Sequence, residues 1–468
     1  MKRGILSAGG YVPYHRLDRS AVADFFGGAP GRGQRSVASY DEDTTSMGVE
    51  AARFALASSP FAPKPAALYF ATADPAYLDK TNATAIHAAL RMDTSALAVD
   101  MGGAPRSGIG ALRAALEGSV PVLVVSSDRR SGLPTSPDES SGGDAAAALL
   151  VGEGERLIAE YLGGASATDE FLDRWRLPGE RRSKAWEERF AESRYLPLGL
   201  DAWQRALEAA HIEAGEVERL IVTGTHPRSV KSIVRKLGIA PEAQVDDLTA
   251  AIGQSGTAHA ALLLTSVLES AESEQVVVLL HLSDGADALV FRTTPADAKF
   301  TPARPVATQV ARGGVLSYGK FLSWRGMVEV QPPNRPLPAR PSGSAAARSK
   351  DWKFAFVGSQ DRTSGALHLP PQRASRVGGA IDEMEEAPMA DKEATVATFT
   401  IDRLAYSPSP PVVFAVLDFE GGGRLPCELT DVAAEDVQIG DRVEMTFRRL
   451  YTADGIHNYF WKARPVRG

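Results

Sequence analysis

Asp100-Met101-Gly102-Gly103-Ala104-Pro105-Arg106-Ser107-Gly108 decides how the rest of this chain is read. An apolar run, Ala96–Asp100, ends here, two glycines open a sharp turn, and an Ala/Leu-rich helix runs from Gly108 to Glu117. Such an elbow places backbone N–H groups, and any side chain in the turn, at the mouth of a helix. The beat returns as Asp246-Asp247-Leu248, then Ile252-Gly253-Gln254-Ser255-Gly256 and a second Ala/Leu helix.

Two further beats recur in the same order, offset by ~150 positions. Ala67-Leu68-Tyr69-Phe70-Ala71-Thr72-Ala73-Asp74-Pro75 is echoed by Glu218-Arg219-Leu220-Ile221-Val222-Thr223-Gly224-Thr225-His226-Pro227. Val122–Asp128 is echoed by Val277–Asp284. Three matches in register predict a duplicated α/β unit. Strands are expected at Ala67–Ala71, Ala96–Asp100, Val120–Ser126, Ala146–Val151, Arg219–Thr223, Val276–His281 and Ala288–Arg292. Their near-continuous apolar character predicts burial on both faces. Helices are expected at Ser46–Ser58, Asn82–Leu90, Gly108–Glu117, Leu200–Ala210, Val230–Leu237 and Thr257–Glu269.

The 468 residues are 44% hydrophobic and 23% charged, an ordinary globular composition with room for several domains. A net charge of −7 argues against nucleic acid as a partner. No long uncharged apolar stretch predicts a membrane span, and Met1-Lys2-Arg3-Gly4-Ile5-Leu6 does not read as a secretion signal. The single cysteine, Cys427, cannot form an internal disulfide, and a cytoplasmic location is expected.

The Pro-rich stretch 331–350 reads as an extended linker. Beyond it, Thr395–Leu404, Val412–Phe419, Arg424–Leu429, Arg442–Leu450 and Asn458–Lys462 alternate apolar and polar residues between Gly- and Asp-rich turns. That pattern predicts a small all-β barrel.

The duplicated unit resembles the thiolase superfamily, in particular its 3-hydroxy-3-methylglutaryl-CoA (HMG-CoA) synthase and ketoacyl synthase III branch. The resemblance spans about residues 1–325. Its carriers are Tyr11-Val12-Pro13, Asp41 to Met47, the Asp100 elbow, Thr225-His226-Pro227, Gly253 to Ala258, and Gly285 after a buried strand. It implies a layered αβαβα fold, a dimer core and a CoA thioester as substrate, with no permanently bound cofactor. In that family the elbow carries a nucleophilic cysteine, and here the slot falls on Pro105 or within one residue of it. Ser107 is a poor replacement, because an unactivated hydroxyl is far less acidic than a thiol. A covalent acyl-Cys intermediate is therefore not expected.

Other family positions are partly kept. His226 matches the histidine that polarises a thioester carbonyl, its plain alternative being a cap at a strand end. Gln254 stands where the family has Asn. Asp74 is the one carboxylate near the expected general base, with a turn or cap role as its alternative; Tyr77 is a second proton donor to consider. Arg106, Ser107, Arg228, Lys231, Arg235 and Gly285 are expected to meet the CoA ester, and Lys236 shares the basic helix face. His259 reads as packing, and Asp284 and Asp287 as turn residues.

Gly358 to Met384, especially His368-Leu369-Pro370-Pro371-Gln372-Arg373, and then Thr395–Leu404 and Val443–Arg449 carry a second likeness: this part resembles accessory proteins with a rubredoxin-like zinc ribbon followed by an OB-fold. The expected order is a thiolase-like domain at 1–325, linker at 326–350, ribbon at 351–394 and OB-fold at 395–468. The family's four zinc-binding cysteines fall on Asp361, Ser364, Ser375 and Gly378, so no zinc is expected. Two functions follow from the resemblance. One is an acyl-CoA acyltransferase or aldol-type lyase working without an acyl-Cys, through His226, Gln254 and Asp74. The other is a non-catalytic scaffold that assembles with a separate Cys-containing thiolase-type protein.

Overall fold

The structure is a computed structural model that describes residues 2–59, 62–180, 182–295, 300–332, 334 and 336–467. Residues 333 and 335 of the Pro-rich stretch lie outside the described residues. The chain divides into two compact units. The first comprises Met1–Ala38, Glu50–Thr84 and Asp93–Phe321. The second comprises Ser39–Val49, Ala85–Met92 and Leu322–Gly468, so it takes in two stretches from early in the sequence.

In chain order the first half of the pattern comprises β1 (Arg3–Tyr11), α1 (Thr44–Ser58, in the first unit from Glu50 on), β2 (Ala67–Thr72), α2 (Ala83–Ala89, in the second unit from Ala85 on), β3 (Leu97–Gly102), α3 (Arg106–Leu116), β4 (Val122–Arg129) and β5 (Asp144–Glu153). The second copy of the pattern follows: β6 (Ala159–Ala167), α4 (Glu188–Ala210), β7 (Val217–Gly224), α5 (Pro227–Leu237), α6 (His259–Leu268), β8 (Val276–Leu282) and β9 (Ala286–Thr293). One nine-stranded sheet runs β7-β8-β9-β6-β1-β5-β4-β2-β3. Read outward from the β1/β6 centre, both halves show two antiparallel pairings and then a parallel one. The first half adds β3 in parallel, while the second has only a parallel bridge, Leu220 to Gln244, in that place. The duplication expected from the sequence is thus present.

Alternation along β8 shows why its residues are apolar throughout. Val277 and Leu279 enter one core with α3 and α6, whereas Val276, Val278, Leu280 and Leu282 enter a second core with α4 and α5. A strand between two helix layers has no solvent face. Helix α6 is buried over nearly its whole length, as a helix between two half-sheets must be. Gly108 of α3 has no alternative, because a Cβ there would stand 2.3 Å from the Thr257 carbonyl oxygen.

Three departures from the sequence reading have physical causes. Helix α4 begins at Glu188 and carries Pro197 inside it, so it starts well before Leu200. β1 and β6 hold few β-branched residues and several glycines, which weakens their strand signal. Pro105 precedes α3 as its N-cap residue in helical geometry (φ −56°), and the first helical residue is Arg106.

In the second unit, β10 (Val357–Asp361), β11 (Leu367–His368) and β12 (Met384–Pro388) form a three-stranded sheet in the order β11-β10-β12. β13 (Ala394–Asp402), β14 (Val412–Phe419), β15 (Arg424–Glu428), β16 (Arg442–Ala453) and β17 (Ile456–Pro465) form a five-stranded sheet in the order β15-β14-β13-β16-β17. A bridge from Leu429 to Ala463 joins its two edges and closes the barrel. Phe356, Phe447, Tyr459 and Trp461 fill its interior. Among the described residues no helix is long and apolar enough to cross a membrane.

Candidate functional site

The elbow after β3 is tied down by its own side chains. Asp100 accepts from Asn82 N (2.7 Å), Asn82 Nδ2 (2.9 Å) and Ala83 N (2.8 Å), capping α2. Ser107 Oγ donates to the Gly102 carbonyl at 2.9 Å. Arg106 reaches across to the turn after β8 and to Asp287, which lies on β9 rather than in the turn where the sequence reading put it. Its Nε donates to Asp287 Oδ2 (2.8 Å), Nη1 to the Asp284 carbonyl (2.6 Å) and Nη2 to Thr168 Oγ1 (2.9 Å). Gly285 has φ +129°, and a Cβ there would stand 2.5 Å from Arg106 Nη1. Arg106, Asp284, Gly285 and Asp287 therefore form one group, and Gly285 makes room for the guanidinium. The lone thiol is remote in sequence: Cys427 lies buried on β15 in the second unit, and burial pushes it up to about 12, so it stays protonated.

The matching place in the second half is the end of β7. His226 caps α5: its Nδ1 accepts from Ser229 N at 3.2 Å, with Ser229 Oγ at 2.6 Å. Tyr195 stacks on the ring with centroids 6.3 Å apart. Burial lowers the imidazole pKa, against the nearby charges of Asp173, Glu188 and Glu192. The ring is thus neutral near pH 7. Because Nδ1 accepts from a backbone N–H, the proton belongs on Nε2, which is left as a donor. Gln254 spans its own turn, with Oε1 accepting from Gly256 N (2.6 Å) and Nε2 donating to the Gly224 carbonyl (3.3 Å). Asp74 forms an ion pair with Arg129 Nε at 3.1 Å. Tyr77 N donates to Asn82 Oδ1 at 3.0 Å. His259 is buried, with Nδ1 3.1 Å from Ser255 Oγ and Nε2 3.0 Å from the Asp247 carbonyl.

A cavity of about 250 Å³ opens beside this strand end. Gln254 and Lys231 line it, as do Thr223 and Thr225. Four cations (Arg19, Arg130, Arg174, Lys231) face two carboxylates (Asp138, Asp247), a lining of net charge +2. Arg174 is paired with Asp138 at 2.8 Å. Lys231 has no ion-pair partner among the described residues. His226, Asp74, Arg106, Ser107, Arg228, Arg235 and Gly285 are not among the lining residues. Arg228 pairs with Glu192 at 2.6 Å, and Arg235 donates to Ser232 Oγ at 3.2 Å. Lys236 lies in the last turn of α5.

Two residues escape the sequence reading. Asp128, buried at the end of β4, accepts from Ala73 N (2.7 Å), Thr72 Oγ1 (3.1 Å), Thr257 N (2.8 Å) and Thr257 Oγ1 (2.7 Å). It joins the strand-end loops of both halves, and its place in the repeat opposite Asp284 was the available signal. His281, a lone imidazole in a Val/Leu strand, was visible for the same reason.

In the second unit the four ribbon slots do not suit zinc. Asp361 accepts from Ser364 Oγ (2.6 Å), Thr363 N (2.8 Å) and Ser364 N (3.3 Å). Ser375 Oγ donates to the Val377 carbonyl at 2.7 Å, and Gly378 has no side chain. One carboxylate and two hydroxyls, bonded internally, are not the thiolate or imidazole set that tetrahedral zinc takes. Asp361 closes its turn with hydrogen bonds instead.

A duplicated α/β half with paired elbows at its central helices is a thiolase-like fold, and the barrel that follows it in sequence is an OB-fold. The first part is similar to the HMG-CoA synthase of Methanopyrus kandleri, at 25% identity over 336 residues, 68% of this chain and 95% of that protein. It superposes on an HMG-CoA synthase crystallised with CoA (18% identity, TM-score 0.61, 73% of this chain and 96% of that one). It also superposes on 3-oxoacyl-(acyl carrier protein) synthase III of Pseudomonas aeruginosa PAO1 (19% identity, TM-score 0.56, 63% and 99%). Residues 387–448 match the family model described as "ChsH2, C-terminal OB-fold domain". The architecture is therefore a thiolase-like fold, similar to those of HMG-CoA synthases and of 3-oxoacyl-(acyl carrier protein) synthase III, followed by an OB-fold.

Proposed function

We propose that the first unit binds an acyl-CoA thioester and serves C–C bond formation or cleavage beside that thioester, with no acyl group carried on this chain. One observation carries the reading: Pro105 stands at the elbow, and no cysteine occurs anywhere in residues 1–325. Two groups near the end of β7 remain suited to a thioester. The Nε2–H of His226 is a donor for its carbonyl oxygen, and the cationic cavity lined by Lys231 suits an anionic ligand. The similarity to HMG-CoA synthases supports the same substrate class.

Between enzyme and scaffold, the bonding of the site favours the scaffold. Ser107, Arg106, Gln254 and Asp74 all hold loops in place. What is left over holds and polarises a thioester, while the expected base, Asp74, is tied to Arg129 rather than poised to move a proton from carbon. The covalent step then belongs to a cysteine on a separate thiolase-type subunit.

Intact-mass measurement after incubation with acetyl-CoA tests the first claim. The expected spectrum is the unmodified chain, and a stable acyl adduct on residues 1–325 defeats it. Turnover of CoA esters by the isolated chain, lost in His226→Ala, would return the enzyme reading. Activity that appears only with a thiolase-type partner, and vanishes when that partner's cysteine is changed, supports the scaffold.

A further inference from the structure

His281 is the lone polar side chain of β8 (VVVLLHL). It is 1% exposed, and neither ring nitrogen has a hydrogen-bond partner among the described residues. Leaving buried polar atoms unpaired costs on the order of 1–3 kcal/mol per group, and native structures rarely tolerate it without a reason. A leucine would fill the slot as its neighbours do, with no such cost. Burial pushes the ring's pKa down to about 4, against the nearby charge of Asp287. A neutral imidazole offers one N–H donor and one lone-pair acceptor.

The register shows where those groups lie. Val277 and Leu279 face the central helices, and His281 continues that alternation. Its neighbours across the sheet are Thr223 on β7 and Asp287 on β9. Thr223 lines the cationic cavity, and Asp287 holds Arg106 at the start of α3. His281 therefore sits one strand spacing, about 4.8 Å, behind the cavity wall and between the cavity and the elbow.

We propose that His281 is a specificity-determining residue that receives an oxygen on the acyl chain of the bound thioester, donating to a carbonyl or accepting from a hydroxyl. Acyl chains bearing such an oxygen are selected over plain alkyl chains, which leave both ring nitrogens unpaired. The inference rests on the CoA-thioester reading above.

Calorimetric titration of the full chain with butyryl-CoA and 3-hydroxybutyryl-CoA tests it. The natural protein should prefer the hydroxylated ester by roughly 10-fold, the effect of one net hydrogen bond. His281→Leu should abolish that preference while butyryl-CoA binds as before, and His281→Gln should restore part of it. An unchanged ratio in His281→Leu, or no preference in the natural protein, overturns the inference and leaves the CoA reading standing. Failure to bind either ester defeats both. Ring-nitrogen NMR of the unsubstituted protein gives an independent measurement. A shift at His281 with the hydroxylated ester and not with butyryl-CoA supports the contact, and no shift with either refutes it.

Discussion

Replacing Arg448 with methionine should strip the second unit of a fully buried counterion. The guanidinium is 0% exposed and lies 2.7 Å from Glu42 Oε1, 2.6 Å from Asp431 Oδ2 and 3.4 Å from Asp41 Oδ1. Lys462, also buried, bonds Asp41 at 3.0 Å and Glu428 at 2.7 Å. Methionine takes the guanidinium away from Glu42 and Asp431 while leaving both carboxylates buried. Breaking a buried pair in this way costs about 3–5 kcal/mol. Burial raises the pKa of Asp41, but Lys462 and Arg448 outweigh it and bring the carboxyl down to about 2. A depressed carboxylate stabilises the fold above its unfolded pKa, and that contribution fades as pH falls toward about 2. In the variant Asp41 loses one of the two cations that hold its carboxyl down, so it takes up its proton at a higher pH than in the natural protein. The deficit should therefore be largest near neutrality and shrink on acidification. Native-state hydrogen exchange of the full chain, read on β16 and β17, measures this directly. The expected loss of protection at neutral pH is roughly 10²- to 10⁴-fold, since ~1.4 kcal/mol is tenfold. A loss under about tenfold, or a deficit that does not change with pH, would refute the reasoning.

Glu269 Oε2 accepts from Val306 N at 2.8 Å, and burial pushes the carboxyl up to about 7. A raised carboxyl favours the fold while protonated and opposes it as pH rises toward about 7, so Glu269→Gln should raise the melting temperature above that pH and leave it unchanged in acid. Cys427, raised to about 12 by burial, should resist a thiol reagent in the folded protein and react fully once unfolded; rapid labelling under native conditions would contradict its placement on β15. In the ribbon, Ser364 and the neighbouring backbone hold the Asp361 carboxyl far below the usual range. Asp361→Ala should speed amide exchange at Thr363, Ser364 and Gly365, while added zinc should not restore it; unchanged exchange would show that the carboxylate does not close the turn.

The duplicated α/β order was legible because period and punctuation are local. Apolar runs too short for helices, glycine turns and Ala/Leu helices recur in the same order around Asp100 and Asp247. The alternation in Val412–Phe419 and its neighbours disclosed the barrel in the same way. The missing nucleophile was legible too, since Pro105 and a single distant cysteine are facts of composition. The central strands β1 and β6 were not, because their glycines answer to partners far along the chain: a Cβ on Gly4 would stand 2.1 Å from the Ala159 carbonyl oxygen.

The site divides along the same line. Sequence by itself determined which groups exist: a histidine and an amide after the second-half strand, basic residues on α5, and no thiol in the first 325 residues. Only the tertiary structure decided which of them are occupied. Arg106 is held by Asp287, Gln254 by its own turn, and Asp74 by Arg129, while Lys231 faces a cationic cavity and His281 keeps both nitrogens unpaired among the described residues. Occupancy depends on partners brought together by folding, and no local window of sequence contains them.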